Sequence, residues 1–142
     1  MKRALTTVLA ALSLLLVPSC ASSKPQHAAT SSATTLAPAQ HALSVLDAII
    51  RGDDAVVITE LDDTMRDGLS ADKLKTGWHD YQQMFGAYQS HGDPHPVARG
   101  DLTVVQVPLH MANSPGEFRV TFRKDGRIAG LWLLKPGVPL PS

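Results

Sequence analysis

An α+β domain, with three N-terminal helices packed on a curved antiparallel sheet of three to four strands, is the fold class the sequence predicts. Apolar residues recur at helical spacing as far as Phe85 and at alternating spacing from Leu102 onward. The change of period falls around Gly86, Gly92 and Pro94, where turn residues interrupt both patterns. Residues 38–142 are long enough for one hydrophobic core and too short for two, which makes them a single domain.

Pro38 opens the first helix, since the first turn leaves its N–H groups free and a proline has none to leave. Ala39, Leu43, Leu46 and Ile50 follow at spacings of four, three and four, so they share one face, and Gly52 supplies the stop. A second helix is expected from Asp53 or Asp54, whose carboxylates suit free amides, to Gly68, with Val57, Ile58, Leu61 and Met65 turned inward. Ser70 is the expected N-cap of a third helix with Asp72 in its first turn. Leu74, Trp78, Tyr81 and Phe85 form its apolar stripe and Gly86 its C-terminal cap.

Leu102 to Val107 reads as a strand, which Pro108 assigns to an edge or a bulge. Asn113-Ser114-Pro115-Gly116 is a turn. Phe118, Val120 and Phe122 then alternate with Glu117, Arg119, Thr121 and Arg123, predicting a half-buried strand with Arg119 and Arg123 in solvent. Lys124-Asp125-Gly126 joins it to the last strand, Arg127 to Leu134. There Ile128, Trp132 and Leu134 take one face and Ala129, Leu131 and Leu133 the other, so both faces require cover. Helices supply one cover. A second copy of the sheet, a partner or the final Pro-rich segment supplies the other, and Leu131 and Leu133 are the candidate interface residues of a homodimer.

Residues 1–19 read as a lipoprotein signal peptide. Lys2 and Arg3 precede an apolar run from Ala4 to Val17, and Val17-Pro18-Ser19-Cys20 forms a cleavage box around the only cysteine. The run is shorter than the roughly 20 residues needed to span a bilayer. This order resembles bacterial lipoprotein signals, and the resemblance implies a diacylglyceryl thioether on Cys20 and an added N-acyl chain, two or more chains being what stable anchoring takes. The expected location is the cell membrane, lipid-anchored, on the extracytoplasmic side. From Cys20 to Ala37 the chain is rich in Ser, Thr, Ala and Pro, with Leu36 its one bulky apolar residue, which predicts a flexible tether. Loss of Lys2 and Arg3 leaves 11 basic against 13 acidic side chains, a net −2, with no basic stripe for nucleic acid.

Met65, Leu69-Ser70, Leu74, Trp78 and Gly86, followed by Phe118-x-Val120-x-Phe122 and Gly126-Arg127-Ile128-Ala129-Gly130-Leu131, carry a second resemblance. The chain resembles the cone-shaped α+β superfamily of nuclear transport factor 2 and ketosteroid isomerase. Within it, the chain is similar to a bacterial family of unknown function found in secreted proteins and lipoproteins and sometimes fused to hydrolase domains. The resemblance implies a pocket where the long helix faces the sheet, but it supplies no catalytic set to carry over, and a fold alone does not confer a function.

On that geometry Trp78, Tyr81, Phe85 and His110 are the pocket candidates. Helical periodicity favours a plain core role for Trp78 and Phe85, whereas the Tyr81 hydroxyl needs a partner and can face a pocket mouth. The leading expectation is a binding protein for an apolar small molecule or an envelope protein partner. The alternative is a small cofactor-free enzyme, of isomerase, dehydratase or hydrolase type, pairing Tyr81 with Asp80 or His110, or Asp101 with His110, as separated acid and base. His91-Gly92-Asp93-Pro94-His95 offers two imidazoles and a carboxylate, yet its spacing matches no compact zinc module, so no metal is assigned. Asp53-Asp54 and Asp62-Asp63 lack a calcium loop and read as helix caps. No cofactor is expected.

Overall fold

The computed structural model describes residues 37–140. The signal peptide expected at residues 1–19 and residues 20–36 of the tether expected from Cys20 to Ala37 lie outside these residues, while Ala37 is the N-cap of the first helix. Four helices precede five strands: α1 (Pro38–Arg51), α2 (Asp54–Glu60), α3 (Asp63–Gly68), α4 (Ala71–Phe85), β1 (Tyr88–His91), β2 (His95–Arg99), β3 (Leu102–Met111), β4 (Gly116–Arg123) and β5 (Ile128–Leu134). The class is α+β and the helices come first, as the periodicity predicts, with one more helix and one or two more strands than expected.

The helix boundaries follow local chemistry. α1 begins at Pro38, and Gly52, at φ 78, turns its N–H back onto the carbonyls of Ala48 and Ile49. Ser70 caps α4 by accepting from the Lys73 N–H at 3.3 Å. The expected second helix is instead two. Leu61 leaves helical geometry with ψ 148 and forms a parallel bridge to Ile128, and the Asp62 N–H donates to the Ile128 carbonyl at 2.8 Å. Asp62 then caps α3 by accepting from the Met65 N–H at 2.9 Å. Pairing with β5 and a new cap together outweigh continuing one helix through the Leu61-Asp62 step.

All pairings in the sheet are antiparallel. β3 and β4 are its centre, β5 flanks β4, and β1 and β2 share the far edge of β3. Pro108 therefore lies in a central strand and not at an edge. Its carbonyl accepts from Gly92 between β1 and β2 at 2.8 Å, so the side of β3 on which its missing N–H falls is the gap between two short strands.

One face of the sheet carries Val105, Val107, Leu109 and Met111 from β3 and Phe118, Val120 and Phe122 from β4, all buried in a cluster with Leu46, Ile49, Val57, Leu61, Leu74 and Trp78 of the helical layer. β5 requires a correction. A bulge at Thr121 and Phe122 pairs Ile128 with Phe122, which brings Ile128 to the helix side together with Leu131 and Leu133. The interface candidates Leu131 and Leu133 thus pack against the core, and the opposite face of β5 presents Gly130, Trp132 and Leu134. No helix among the described residues is long and apolar enough to cross a membrane.

Candidate functional site

The face of the sheet turned away from the helices carries Glu117, Arg119 and Thr121 from β4, and all three are buried. Alternation along β4 predicts Arg119 in solvent; the structure corrects this, for the Arg119 side chain is 3% exposed. Its neighbours across the ladders are Gln106 on β3 and Trp132 on β5. Trp132 lies across Gly130, where any Cβ would collide with the indole, so the glycine allows the ring to lie flat on the sheet. Beyond β5, a turn at Pro136-Gly137, with Gly137 at φ 83, redirects the chain onto this face.

Every bond the buried guanidinium makes is to a specific acceptor. Arg119 Nε and Nη2 donate to Glu117 Oε1 at 2.8 and 2.6 Å, and Gln106 Nε2 donates to the same oxygen at 3.3 Å. The remaining bonds go to main chain: Nη2 to the Val138 carbonyl at 2.7 Å and Nη1 to the Pro139 carbonyl at 3.1 Å. An ion pair this deep requires such satisfaction, because stripping both charges of water is costly unless the leftover donors are used. Between the returning segment 136–140, here termed the strap, and the sheet lies a groove of about 300 Å³ lined by Val104, Arg119, Thr121, Trp132, Leu134, Val138 and Pro139. The lining is mostly apolar, with one guanidinium at its floor, the composition of a recognition site for an apolar body with a few polar handles.

The sequence-predicted pocket residues lie elsewhere. Trp78, Tyr81 and Phe85 stack along α4, with ring centroids 6.0 Å apart for Trp78 and Tyr81 and 4.5 Å for Tyr81 and Phe85. Trp78 and Tyr81 are buried and Phe85 packs against the core. The Tyr81 hydroxyl donates to the Leu134 carbonyl at 2.7 Å and accepts from the Glu117 N–H at 3.0 Å. Both of its capacities serve main chain, and burial pushes the phenol above its ordinary pKa. It sits directly over Gly116, where a Cβ would meet the hydroxyl. Asp80 and His110 are exposed, and Asp101 pairs in solvent with Lys124 at 2.5 Å, so the structure does not assemble them around Tyr81. Among the described residues no three His, Cys, Asp or Glu side chains gather as a metal centre requires.

A second groove, about 280 Å³, lies where α1 begins, between His41, Thr103, Phe122, Arg123, Lys124 and Gly126. His41 stacks on Phe122 with centroids 4.4 Å apart and meets Glu60 Oε2 at 2.6 Å, while Arg123 is engaged by Asp62 at 2.7 Å. His41, Arg123 and Lys124 are thus already paired with carboxylates outside the lining, Glu60, Asp62 and Asp101. The outer-face groove has the larger apolar lining and an exposed aromatic, Trp132 at 41%.

Residues 42–131, more than half of the chain, match a family described as a protein of unknown function, DUF3887. The chain belongs to the DUF3887 family. Neither the curated proteins nor the solved structures yield a match to it. The DUF3887 segment runs from α1 into β5 and ends at Leu131, so it includes the Glu117–Arg119 pair but stops short of Trp132 and of the strap that completes the groove. Sequence reasoning does not find Arg119 and Trp132 as neighbours because, although Glu117 is only two residues from Arg119, the cover over the pair comes from Trp132, Val138 and Pro139, 13 to 20 residues further on. The signal that pointed to them was β5 itself, apolar on both faces and therefore in need of a second cover.

Proposed function

We propose that the protein is a lipid-anchored extracytoplasmic binding protein, held to the membrane through Cys20, that takes an apolar ligand or an apolar segment of an envelope protein in the outer-face groove. The observation that carries this reading is the groove's composition. Val104, Trp132, Leu134 and Val138 offer apolar surface beside a buried guanidinium whose charge Glu117 already balances. A neutral apolar guest loses little on entering such a site and gains contact with the indole. The enzyme alternative asks for a free Tyr81 hydroxyl, and that hydroxyl is bonded at both of its capacities.

Placement in the cone-shaped superfamily belongs to the same proposal. Helices packed on one face of an antiparallel sheet support it. The helix side, where such a cone would open, is filled by Tyr81, Phe118, Val120 and Phe122, which moves binding to the opposite face.

The test is titration of the full chain with Nile red, an uncharged apolar reporter, comparing the native protein with Trp132→Ala. Saturable binding weakened at least several-fold by the substitution is the expected result. Absence of saturable binding, or identical affinity in the variant, overturns the assignment of the groove.

A further inference from the structure

We propose that the outer-face groove, walled on one side by the chain's own Val138-Pro139 segment, is a peptide-binding site, and that its ligand is an extended, proline-containing polypeptide segment that takes that segment's place on Arg119. This deepens the function proposed above and rests on the same groove.

The strap displays the chemistry that the site recognises. Arg119, neutralised by Glu117 at 2.6 Å, presents its remaining donors to two successive main-chain carbonyls, Val138 at 2.7 Å and Pro139 at 3.1 Å. Because the guanidinium already has its counter-charge, a carboxylate arriving in place of those carbonyls would leave a net negative charge in a buried, largely apolar site. Neutral carbonyls carry no such cost. The acceptor pair best suited to the site is therefore a peptide main chain and not the head of a fatty acid.

Proline suits the same surface for a second reason. An extended chain laid on Val104, Trp132 and Leu134 turns some of its N–H groups toward apolar atoms, where each unpaired donor is costly. A proline has no N–H to strand, its φ is already fixed, and its ring is an apolar face for an aromatic such as Trp132.

The strap is also weakly held. Among the described residues, no hydrogen bond other than the two from Arg119 ties residues 136–140 to the domain, and Pro136, Gly137 and Pro139 are exposed. Those two bonds are assisted by the covalent tether at Leu134, which supplies an effective concentration of about millimolar order. A partner must outcompete that concentration, so the strap sets the affinity threshold for peptide entry.

The experiment compares the full chain with a chain ended after Lys135, using as probe an amidated heptapeptide with the sequence of residues 136–142. The readout is the Trp132 indole resonance, with the buried Trp78 as internal reference. The expected result is binding to the shortened chain at least about 10-fold tighter than to the full chain, weakened when Pro139→Ala and Pro141→Ala are built into the peptide. Dodecanoate is expected to bind less well than the peptide. Tighter binding of dodecanoate overturns the peptide assignment in favour of a carboxylate amphiphile. Failure of the peptide on both proteins, with Nile red still bound, overturns this inference and leaves the groove as an apolar site; failure of both probes removes both readings. Should the shortened chain not fold, millimolar peptide must still move the Trp132 resonance of the full chain by displacing the strap, and a static resonance overturns the proposal.

Discussion

The two faces of a single strand, β4, are buried by different means. Phe118, Val120 and Phe122 meet the helices, and their removal from water is non-directional, so shape and volume decide what fits. Glu117, Arg119 and Thr121 are also hidden, but beneath an indole and a short strap, where each donor has to find an acceptor. Burial of the first kind cannot be undone without unfolding the domain. Burial of the second kind yields to any molecule that offers the same acceptors and the same apolar surface, which is why the outer face holds the candidate site and the inner face does not.

The largest effect should come from the inner face. Phe118 is fully buried, and Phe118→Ala is expected to cost about 3–5 kcal/mol in urea unfolding, the range for emptying an aromatic site that cannot collapse. The outer face should respond to pairing more than to volume. Arg119→Met strands Glu117 and is expected to cost about 3 kcal/mol, most of it regained when Glu117→Leu is added to remove the orphaned charge. If the double variant is as unstable as the single one, the outer face is an ordinary packing surface and the contrast between the faces collapses.

Tyr81 sharpens the comparison because it serves both faces. Its ring belongs to the helix-side aromatic cluster, while its hydroxyl bonds the main chain of β4 and β5 at Glu117 and Leu134. Tyr81→Phe keeps the ring and leaves the Glu117 N–H and the Leu134 carbonyl without that partner, a loss of about 1–3 kcal/mol by thermal or urea unfolding. An unchanged stability would show that the hydroxyl is not needed to hold the strands together.

How much of this was legible in the sequence depends on how local each cause is. Pro38, Gly52, Ser70 and Gly86 mark helix ends through their own backbone chemistry, and the structure has them where spacing predicts. The break at Leu61-Asp62 was hidden because its cause, the pairing with Ile128, lies far along the chain. β1 and β2 gave no alternating signal, being short, largely exposed strands that exist because β3 has an edge to fill. The burial of Arg119 depends on Trp132 and on a strap 19 and 20 residues away in sequence, so a period-2 reading of β4 alone could only assign it to solvent. The apolar character of both faces of β5 announced that the outer face needs a cover, without saying which residues provide it.

The subtlest contrast lies between two buried carboxylates of the helical layer, Asp54 and Asp62, and pH reads it out. The Met65 N–H and the Arg123 guanidinium hold the Asp62 carboxyl below the usual carboxylate range. Its contribution to stability is therefore present above a pH of about 4, the ordinary aspartate value in the unfolded chain, and is lost as pH falls through the lower folded value. Asp54 has the opposite sign. Burial, only partly offset by Lys75, raises its pKa, and its Oδ1 has no hydrogen-bond partner. The folded state holds the Asp54 proton longer than the unfolded state does, so its favourable contribution is complete below about pH 4 and disappears as pH rises through the raised folded value. Asp62→Asn should then lower the urea midpoint at pH 7 and leave it nearly unchanged at the acid end. Asp54→Asn should raise the midpoint at pH 7 and lose that advantage in acid. Midpoints recorded from pH 3 to pH 7 decide the matter: two variants that shift in the same direction at pH 7 would mean that burial, and not the presence or absence of a partner, governs both groups.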